Sequence, residues 1–321
     1  MSNIIIYVSS RNNYDMLSGE VLKNINTEGF EFINVDDKSS PEEIEKGKQI
    51  CQENDIVFLE NESRGVQMAT HTLIKFIKKN RPDCKWVFCF QHDCYPITEN
   101  FFSRISKLID NDKLDEFGTL GFNRIDMGKH APGAYQEWLD NKKPLGSLGL
   151  AHLSVLDEVK RWIQPNRNSW LVNNRDWWKP FSIEITAWTA IGINVDLWWE
   201  WIEPTDEYHF HLWAPDVSMQ FLYHNFHNVV LPELYLMNKQ ELKENYGIEA
   251  NSAHGSQRGN EYHFGHYQPS HDIWKSRWGW DYQKPNTILD VRQSYEGTLI
   301  EEFISHNTRS GPLKTFDLGR Y

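Results

Sequence analysis

The feature that most constrains the fold is an apolar run followed at once by polar groups, in the stretch KWVFCFQHDCYP at residues 85–96. Residues 86–90 are all apolar or aromatic, which predicts a strand buried on both faces, as in a parallel sheet. The run stops at Gln91, His92 and Asp93. Polar groups at the carboxyl end of such a strand point into the crevice where open α/β sheets bind ligands. The Asp93 carboxylate is therefore predicted to lie where it can meet a metal ion or a diphosphate.

The residues around this strand alternate between strand and helix patterns. Apolar runs predict further strands at residues 4–8, 30–35 and 55–59, and helical spacing predicts helices at 14–25, 41–53 and 66–79. This alternation is typical of right-handed βαβ units and predicts an α/β fold whose first ~110 residues form a nucleotide-binding half. Weaker patterns predict strands at 117–122, 182–193 and 228–232, and helices at 99–109, 151–163, 195–201, 213–224 and 299–304.

Bulk properties limit the function classes. The chain has 321 residues, 40% of them hydrophobic, and a net charge of -12, which indicates a packed globular core and disfavours broad binding to nucleic acid or anionic membranes. No apolar run approaches the ~20 residues that a membrane span needs. The start MSNIIIYVSS lacks a basic leader and is interpreted as a first strand. The four cysteines form no C-x-x-C pair, so we expect reduced thiols and a cytoplasmic location.

Several short segments carry a resemblance when they are read in order. They are residues 4–22, FINVDDKSS, NESRGVQMATHTLI, QHDCYP, residues 186–197, APDVSMQFLYHNFHNVVLPE and AHGS. In this order they resemble the successive motifs of the family-2 inverting glycosyltransferases, including its Asp-x-Asp motif, its Glu-Asp helix and its late histidine. The chain departs from that pattern twice, with Gln91 in place of the first Asp of Asp-x-Asp and Pro215 in place of the Glu of Glu-Asp.

The resemblance implies a GT-A fold, which is a Rossmann-like α/β fold with a mixed, mainly parallel sheet flanked by helices. It implies a glycosyltransferase domain over 1–282, with a nucleotide-binding half at 1–110 and an acceptor half at 111–282. Residues 283–321 would form a C-terminal extension. The implied activity is metal-dependent transfer of a sugar from a nucleotide sugar, in particular a UDP-sugar, to an acceptor hydroxyl with inversion.

The resemblance also implies a divalent metal, Mn²⁺ or Mg²⁺, because a hard cation held by carboxylate oxygen neutralises a leaving diphosphate. Asp93 is the first predicted ligand and His254 is the second. The alternative for Asp93 is a strand-end carboxylate that caps a helix. His254 has rivals in His263, His266 and His271, and it is alternatively a loop histidine that binds nothing.

Six residues are predicted to bind the nucleotide sugar. The Asp36 carboxylate would accept hydrogen bonds from the base, and the loop after the first strand would line the same pocket. A solvated surface position is the alternative for both arginines. The six residues are Ser9, Arg11, Asp36, Arg64, His92 and Asp93.

Asp216 is the predicted general base, because the acceptor hydroxyl must lose a proton as it attacks and a carboxylate within hydrogen-bond reach can take it. The residue follows Pro215 at the start of a predicted helix, so the alternative is an N-terminal capping acid. The helix dipole at that position predicts a low pKa.

Two aromatic features leave their roles open. A tryptophan cluster either stacks on sugar rings or packs in the core, and Lys275 or Arg277 in WKSRWGW would reach the diphosphate. The cluster comprises Trp177, Trp178, Trp188, Trp198, Trp199 and Trp213.

Two other functions compete with sugar transfer. A nucleotidyltransferase usually has a glycine-rich loop after its first strand. In this chain the corresponding segment is SSRNNYD, which contains no glycine. Gln91 and Pro215 favour a carbohydrate-binding protein without catalysis. The acceptor would be a glycan, a protein, a small molecule or a modified nucleobase, and the acidic composition disfavours the last.

Overall fold

A computed structural model describes residues 2–127, 152–153, 178–186, 190–239, 268–282, 286–306 and 312–321. Its strands are β1 (Ile4–Ser10), β2 (Glu31–Asp36), β3 (Val57–Glu60), β4 (Trp86–Phe90), β5 (Cys94–Pro96), β6 (Phe117–Met127), β7 (His152–Leu153), β8 (Phe181–Ile183), β9 (Ile185–Thr186), β10 (Ala190–Asn194) and β11 (His227–Lys239). Residues 14–24 form a first helix, α1, with a π-helical stretch at Leu17–Val21. The other α-helices are α2 (Pro41–Glu53), α3 (Val66–Asn80), α4 (Phe101–Asp110), α5 (Val195–Trp201), α6 (Trp213–Tyr223), α7 (Gln268–Trp278), α8 (Asn286–Val291) and α9 (Leu299–His306).

The main sheet has a parallel half and a mixed half. Its strand order is β3-β2-β1-β4-β10-β6-β11-β5, and β8 pairs with β11 off this path. The first four strands are parallel, which confirms the βαβ prediction. Strand β10 then runs antiparallel to both β4 and β6. The predicted mixed, mainly parallel α/β sheet is therefore present.

Helices cover both faces of the sheet, and the period-two alternation of strand side chains assigns residues to each face. On β1, Ile5 and Tyr7 pack into the core beneath α3, α6, α7 and α9, while Ile4 and Ile6 pack into the core beneath α1 and α4. All five residues of β4 are buried, as predicted for a strand covered on both sides. The result is a helix–sheet–helix sandwich.

Three sequence predictions were wrong at particular residues. His152–Leu153 lie in a predicted helix but form a strand with Ile185–Thr186, because tertiary pairing overrides weak helical spacing. The predicted strand at 228–232 extends to Lys239, since β11 pairs with β6 along most of its length. The strand predicted at 182–193 is divided into shorter pieces. Residues 154–163, the loop predicted at 128–149 and residues 250–267 of the loop predicted at 250–269 lie outside the described residues. The last two residues of that second loop, Gln268 and Pro269, instead begin α7.

Residues beyond 282 pack into both cores. Ile288 and Phe303 belong to the core that contains α6, and Phe316 lies against Phe117 with ring centroids 4.7 Å apart. None of the helices in the ranges given above combines the length and the apolar character that a membrane span needs.

Candidate functional site

The candidate site begins at the edge of the sheet where the parallel strands β1, β2 and β4 end. The register pairs Ser10 with Asp36 and Val8 with Phe90, so the segments that follow these strands emerge together. The predicted nucleotide-binding residues Ser9, Arg11, Asp36, His92 and Asp93 lie at this edge, which we call the donor edge.

His92 holds the loop after β1. Its Nε2 lies 3.0 Å from the Ser10 hydroxyl, and its Nδ1 lies 3.1 Å from the Asn13 carboxamide nitrogen. Ser10 donates its own hydrogen to Asn34 at 2.6 Å, so it accepts from the Nε2–H of His92 while Asn13 donates to Nδ1. Burial lowers the pKa of His92 to about 4, which keeps the imidazole neutral. The predicted ligand-binding histidine therefore also fixes the geometry of its neighbouring loop.

Asp36 is buried and its carboxylate already has two partners. It accepts a hydrogen bond of 2.7 Å from the Tyr14 hydroxyl and one of 3.1 Å from the Ser39 backbone N–H. The neighbouring Asp37 accepts at 2.6 Å from Gly65 N–H and at 2.8 Å from the Asn61 carboxamide. Burial raises the pKa of Asp37.

The sequence prediction singled out Asp36 and passed over Asp37. The doublet Asp36-Asp37 carried the available signal, because adjacent side chains at a strand end point in different directions.

Arg11 and Arg64 come close together beside Asp37. Arg11 donates from Nη1 to the Asp37 backbone carbonyl at 3.0 Å. Burial lowers the pKa of Arg64, and the Arg11 guanidinium lowers it further. Among the described residues, Arg64 forms no hydrogen bond or ion pair of its own. Two half-buried cations that repel each other make a site that an anionic ligand would stabilise.

Asp93 lies in the turn between β4 and β5 and is buried. Its backbone carbonyl accepts from Lys239 N–H at 2.7 Å, so the end of β11 fixes this turn. A carboxylate is a suitable ligand for Mn²⁺ or Mg²⁺. Within the described ranges, no group of three or more His, Cys, Asp or Glu side chains is arranged to hold a metal. The second predicted ligand, His254, lies outside those ranges, as do its rivals His263 and His266.

Asp216 is completely buried in the first turn of α6, away from solvent. Four side chains surround its carboxylate: Gln220 at 2.8 Å, Trp278 at 2.9 Å, Gln67 at 3.0 Å and Arg277 at 3.3 Å. The residue before the helix, Leu212, makes no side-chain cap, and the Asp216 carboxylate bonds to side chains instead of to free helical N–H groups. Burial raises the pKa of Asp216, which is the opposite of the direction expected from its position in the helix.

The start of α3 connects the donor edge to Asp216. Gly65 N–H binds Asp37, and two residues later Gln67 binds Asp216. Gly65 has φ +105°, and a Cβ there would lie 2.6 Å from the Tyr208 carbonyl oxygen, so only glycine fits. The structure thus brings together Arg11, Arg64 and Asp37, and it joins them through residues 65–67 to Asp216.

Comparison with known proteins identifies the fold. No protein-family model matches the chain, and no curated protein matches it. A structure of GalNAc-T7 with UDP, GalNAc and Mn²⁺ matches with a TM-score of 0.51 and 11% identity, covering 98% of this chain and 58% of that one. The chain has the GT-A fold.

Two further structures match less well. The mannosyltransferase PcManGT from Pyrobaculum calidifontis, in complex with GDP-Man and Mn²⁺, has a TM-score of 0.44 and 9% identity, and the match covers 77% of this chain and 60% of that one. S. aureus TarS has a TM-score of 0.40 and 14% identity, with 73% and 60% covered. The fold assignment rests on the GalNAc-T7 structure, of which this chain spans just over half the length.

Most of the described tryptophans serve the GT-A core. Trp198 and Trp213 are buried, whereas Trp199 is 50% exposed and stacks on His71 with ring centroids 6.1 Å apart. Trp178 is half-buried beneath Arg320. The remaining two members of the predicted cluster, Trp177 and Trp188, lie outside the described residues. Lys275 is exposed, and Arg277 binds Asp216.

Proposed function

We propose that the chain is a metal-dependent glycosyltransferase that takes a sugar from a nucleotide sugar, in particular a UDP-sugar, and moves it to an acceptor hydroxyl. The observation that carries this proposal is the arrangement at the donor edge of a GT-A sheet. There Arg11 and Arg64 lie beside Asp37, and β4, the strand that precedes His92 and Asp93, is two positions away from β2.

The donor edge suits a nucleoside diphosphate. A buried carboxylate such as that of Asp37 accepts hydrogen bonds from a base N–H, and two guanidinium groups bind phosphate oxygens. Ser9 is half-exposed at the end of β1, where it would line the same pocket. Asp36 would act indirectly, because its carboxylate is engaged with Tyr14 and Ser39.

Asp93 would be the protein ligand for the divalent metal, with His254 as the second proposed ligand. When bound, such a metal neutralises the negative charge that develops on a leaving diphosphate. The protein's own contribution is to fix the carboxylate, through the β4–β5 turn and the backbone contact with Lys239.

Asp216 is the proposed general base. The acceptor oxygen would attack the anomeric carbon, the bond from that carbon to the diphosphate oxygen would break, and the hydroxyl proton would pass to the carboxylate, with inversion. In the described structure Arg277 and three N–H donors enclose this carboxylate, so it reaches a hydroxyl only after Arg277 moves away. Its raised pKa makes the ionised form a stronger base than a solvated aspartate.

The enclosure of Asp216 favours one alternative, a protein that binds nucleotide sugars without transferring the sugar. Chromatography separates the two functions, because only a transferase releases nucleoside diphosphate from a nucleotide sugar. Three further statements stay predictions. They are the cytoplasmic location, the use of a glycan or other hydroxyl-bearing acceptor, and the view that modified nucleic acid is a disfavoured acceptor.

The direct test is a thermal-shift panel of UDP, GDP, UDP-sugars and GDP-mannose, with Mn²⁺ or with EDTA. A ligand that binds only the folded state raises the melting temperature by mass action. We expect UDP-sugars to do so with Mn²⁺, and Asp93→Asn to abolish the metal-dependent part. Asp83→Asn is the matched control, because Asp83 is exposed just before the opposite end of β4. Equal shifts in the two variants would contradict the metal assignment, and no shift with any nucleotide would contradict the function.

A further inference from the structure

A short loop beside the start of α3 is held by three side chains. Residues 203–205, which we call loop 203–205, have two backbone N–H groups, because Pro204 has none. Glu203 N–H donates to the Gln220 carboxamide oxygen at 2.8 Å, and Thr205 N–H donates to that of Gln67 at 2.7 Å. The Glu203 carbonyl accepts from Arg277 Nη2 at 2.7 Å.

The same three side chains turn their other polar atoms to Asp216. Gln67 Nε2, Gln220 Nε2 and Arg277 Nη1 all lie against Asp216 Oδ2, while Trp278 occupies Oδ1. Within the described residues, the Asp216 carboxylate makes no hydrogen bond to loop 203–205 itself. Every polar link between them passes through one intermediate side chain.

The charge of Asp216 decides which way both carboxamides point. An ionised carboxylate only accepts hydrogen bonds, so Gln67 and Gln220 must direct their NH₂ groups towards it and their oxygens towards the loop. An asparagine at 216 would offer one oxygen and one NH₂ group. It would therefore leave at least one donor at this site without its acceptor, in a place closed to water.

Loop 203–205 forms one wall of an open cleft. The cleft has a volume of about 580 Å³, and its opposite wall is the α7 segment that includes Ile273, Ser276 and Arg277. That volume is in the range of small-molecule sites. Just beyond the loop, Ser63 donates to Asp206 at 2.7 Å, so the chain next to the loop contacts the residue that precedes Arg64.

We propose that Asp216, before Arg277 moves away to free it as the proposed base, is also a positioning residue: through Gln67, Gln220 and Arg277 it fixes loop 203–205 as the wall of the acceptor site. The acceptor part of this inference rests on the proposed function. The ligand class is a hydroxyl-bearing glycoside bound in the cleft between loop 203–205 and α7.

The link from Asp216 through Gln67, Gln220 and Arg277 to loop 203–205 is called the relay below. Hydrogen exchange measured by mass spectrometry on the full chain tests it without requiring activity. In Asp216→Asn we expect the peptide over residues 202–207 to exchange about tenfold faster, although the Asp216 carboxylate makes no hydrogen bond to it, while peptides from β1 and β4 are unchanged. Arg277→Lys, at a partly exposed side chain, is the second variant and should loosen the same peptide less. Gln49→Met, at an exposed glutamine of α2, is the control and should change nothing there.

A second arm tests the acceptor site with neutral methyl glycosides as probes, in the presence of UDP and Mn²⁺. We expect at least one glycoside to slow exchange at 202–207 and 272–277 in the native protein and not in Asp216→Asn, while UDP affinity measured by calorimetry stays within about twofold. Unchanged exchange at 202–207 in both Asp216→Asn and Arg277→Lys would overturn the relay. Protection elsewhere, or by no glycoside, would overturn the acceptor assignment. Failure of the native protein to bind UDP would instead count against the proposed function.

Discussion

The donor edge and the surroundings of Asp216 use buried carboxylates in opposite ways. At the donor edge, Asp37 binds groups that follow neighbouring strands, and the Arg11 and Arg64 guanidinium groups beside it are half-buried. Asp216 lies inside a helix, has no exposed surface, and takes four partners from three helices. The first arrangement leaves room for a ligand, whereas the second leaves none while Arg277 is in place.

This difference separates two kinds of contribution to function. A side chain at a strand end can be exchanged or removed with little damage to the core, because the sheet positions its backbone. A carboxylate that joins three helices supports the fold and the site at once, so its loss affects both. The predictions below test whether the two regions separate in this way.

The largest expected effect is on stability at Asp216. Asp216→Ala should lower the free energy of unfolding by about 3–5 kcal/mol, because it leaves two buried carboxamides and the partly exposed Arg277 without their acceptor. Arg64→Ala should cost less than about 1 kcal/mol, since Arg64 forms no hydrogen bond within the described structure. Urea unfolding followed by tryptophan fluorescence measures both, and equal losses would remove the distinction between the regions.

The next effect is on nucleotide binding, where the change at Arg64 should matter more than the change at Asp216. Arg64→Ala should weaken UDP by about 10- to 100-fold, the amount expected when a charge-assisted hydrogen bond to phosphate is lost. Lys48→Ala is the control, because Lys48 is an exposed cation of α2 that pairs with Glu45 and Glu60. Calorimetry in the presence of Mn²⁺ measures the affinity. Native affinity in Arg64→Ala would show that this guanidinium is a solvated surface group.

The sequence anticipated the donor edge because its signals are local. The burial of β4 and the polar residues after it occupy one continuous stretch, so the position of Asp93 follows from a single strand. The surroundings of Asp216 depend on Trp278 and Gln67, which are 62 and 149 residues away along the chain. No local pattern predicts that desolvation, so the helix dipole alone gave the wrong direction for its pKa.

The structure shows that Asp36 and Asp37 have different hydrogen-bond partners, a difference that the sequence doublet alone did not reveal. Tyr14→Phe removes the hydroxyl that donates to Asp36 and accepts from Asn34, and should cost about 1–3 kcal/mol of stability, the usual range when buried partners are left unsatisfied. UDP affinity should not change if Asp36 only organises the turn after β2. A parallel loss of UDP affinity would indicate that Asp36, as the sequence suggested, contacts the base.

The smallest expected effect is on the pH dependence of the stability that Asp37 and Asp216 contribute. Burial raises the pKa of both carboxyl groups above that of a solvated aspartate. A carboxyl whose folded pKa exceeds its unfolded pKa stabilises the fold at low pH, and this contribution is lost as pH rises through the folded pKa. The stability lost on Asp37→Asn or Asp216→Asn should therefore be greatest near the unperturbed aspartate pKa of about 4 and should decline as the pH rises above it.

UDP makes this pH comparison selective for one region. A base N–H that donates to Asp37 favours the ionised carboxylate and lowers its pKa. Added UDP should then flatten the pH dependence that Asp37→Asn reveals and leave that of Asp216→Asn unchanged, because Asp216 is enclosed by its own four partners. Unfolding curves at a series of pH values, with and without UDP, measure both slopes. If UDP flattens the Asp216 profile as well, the two carboxylates respond as one site and the separation between the regions fails.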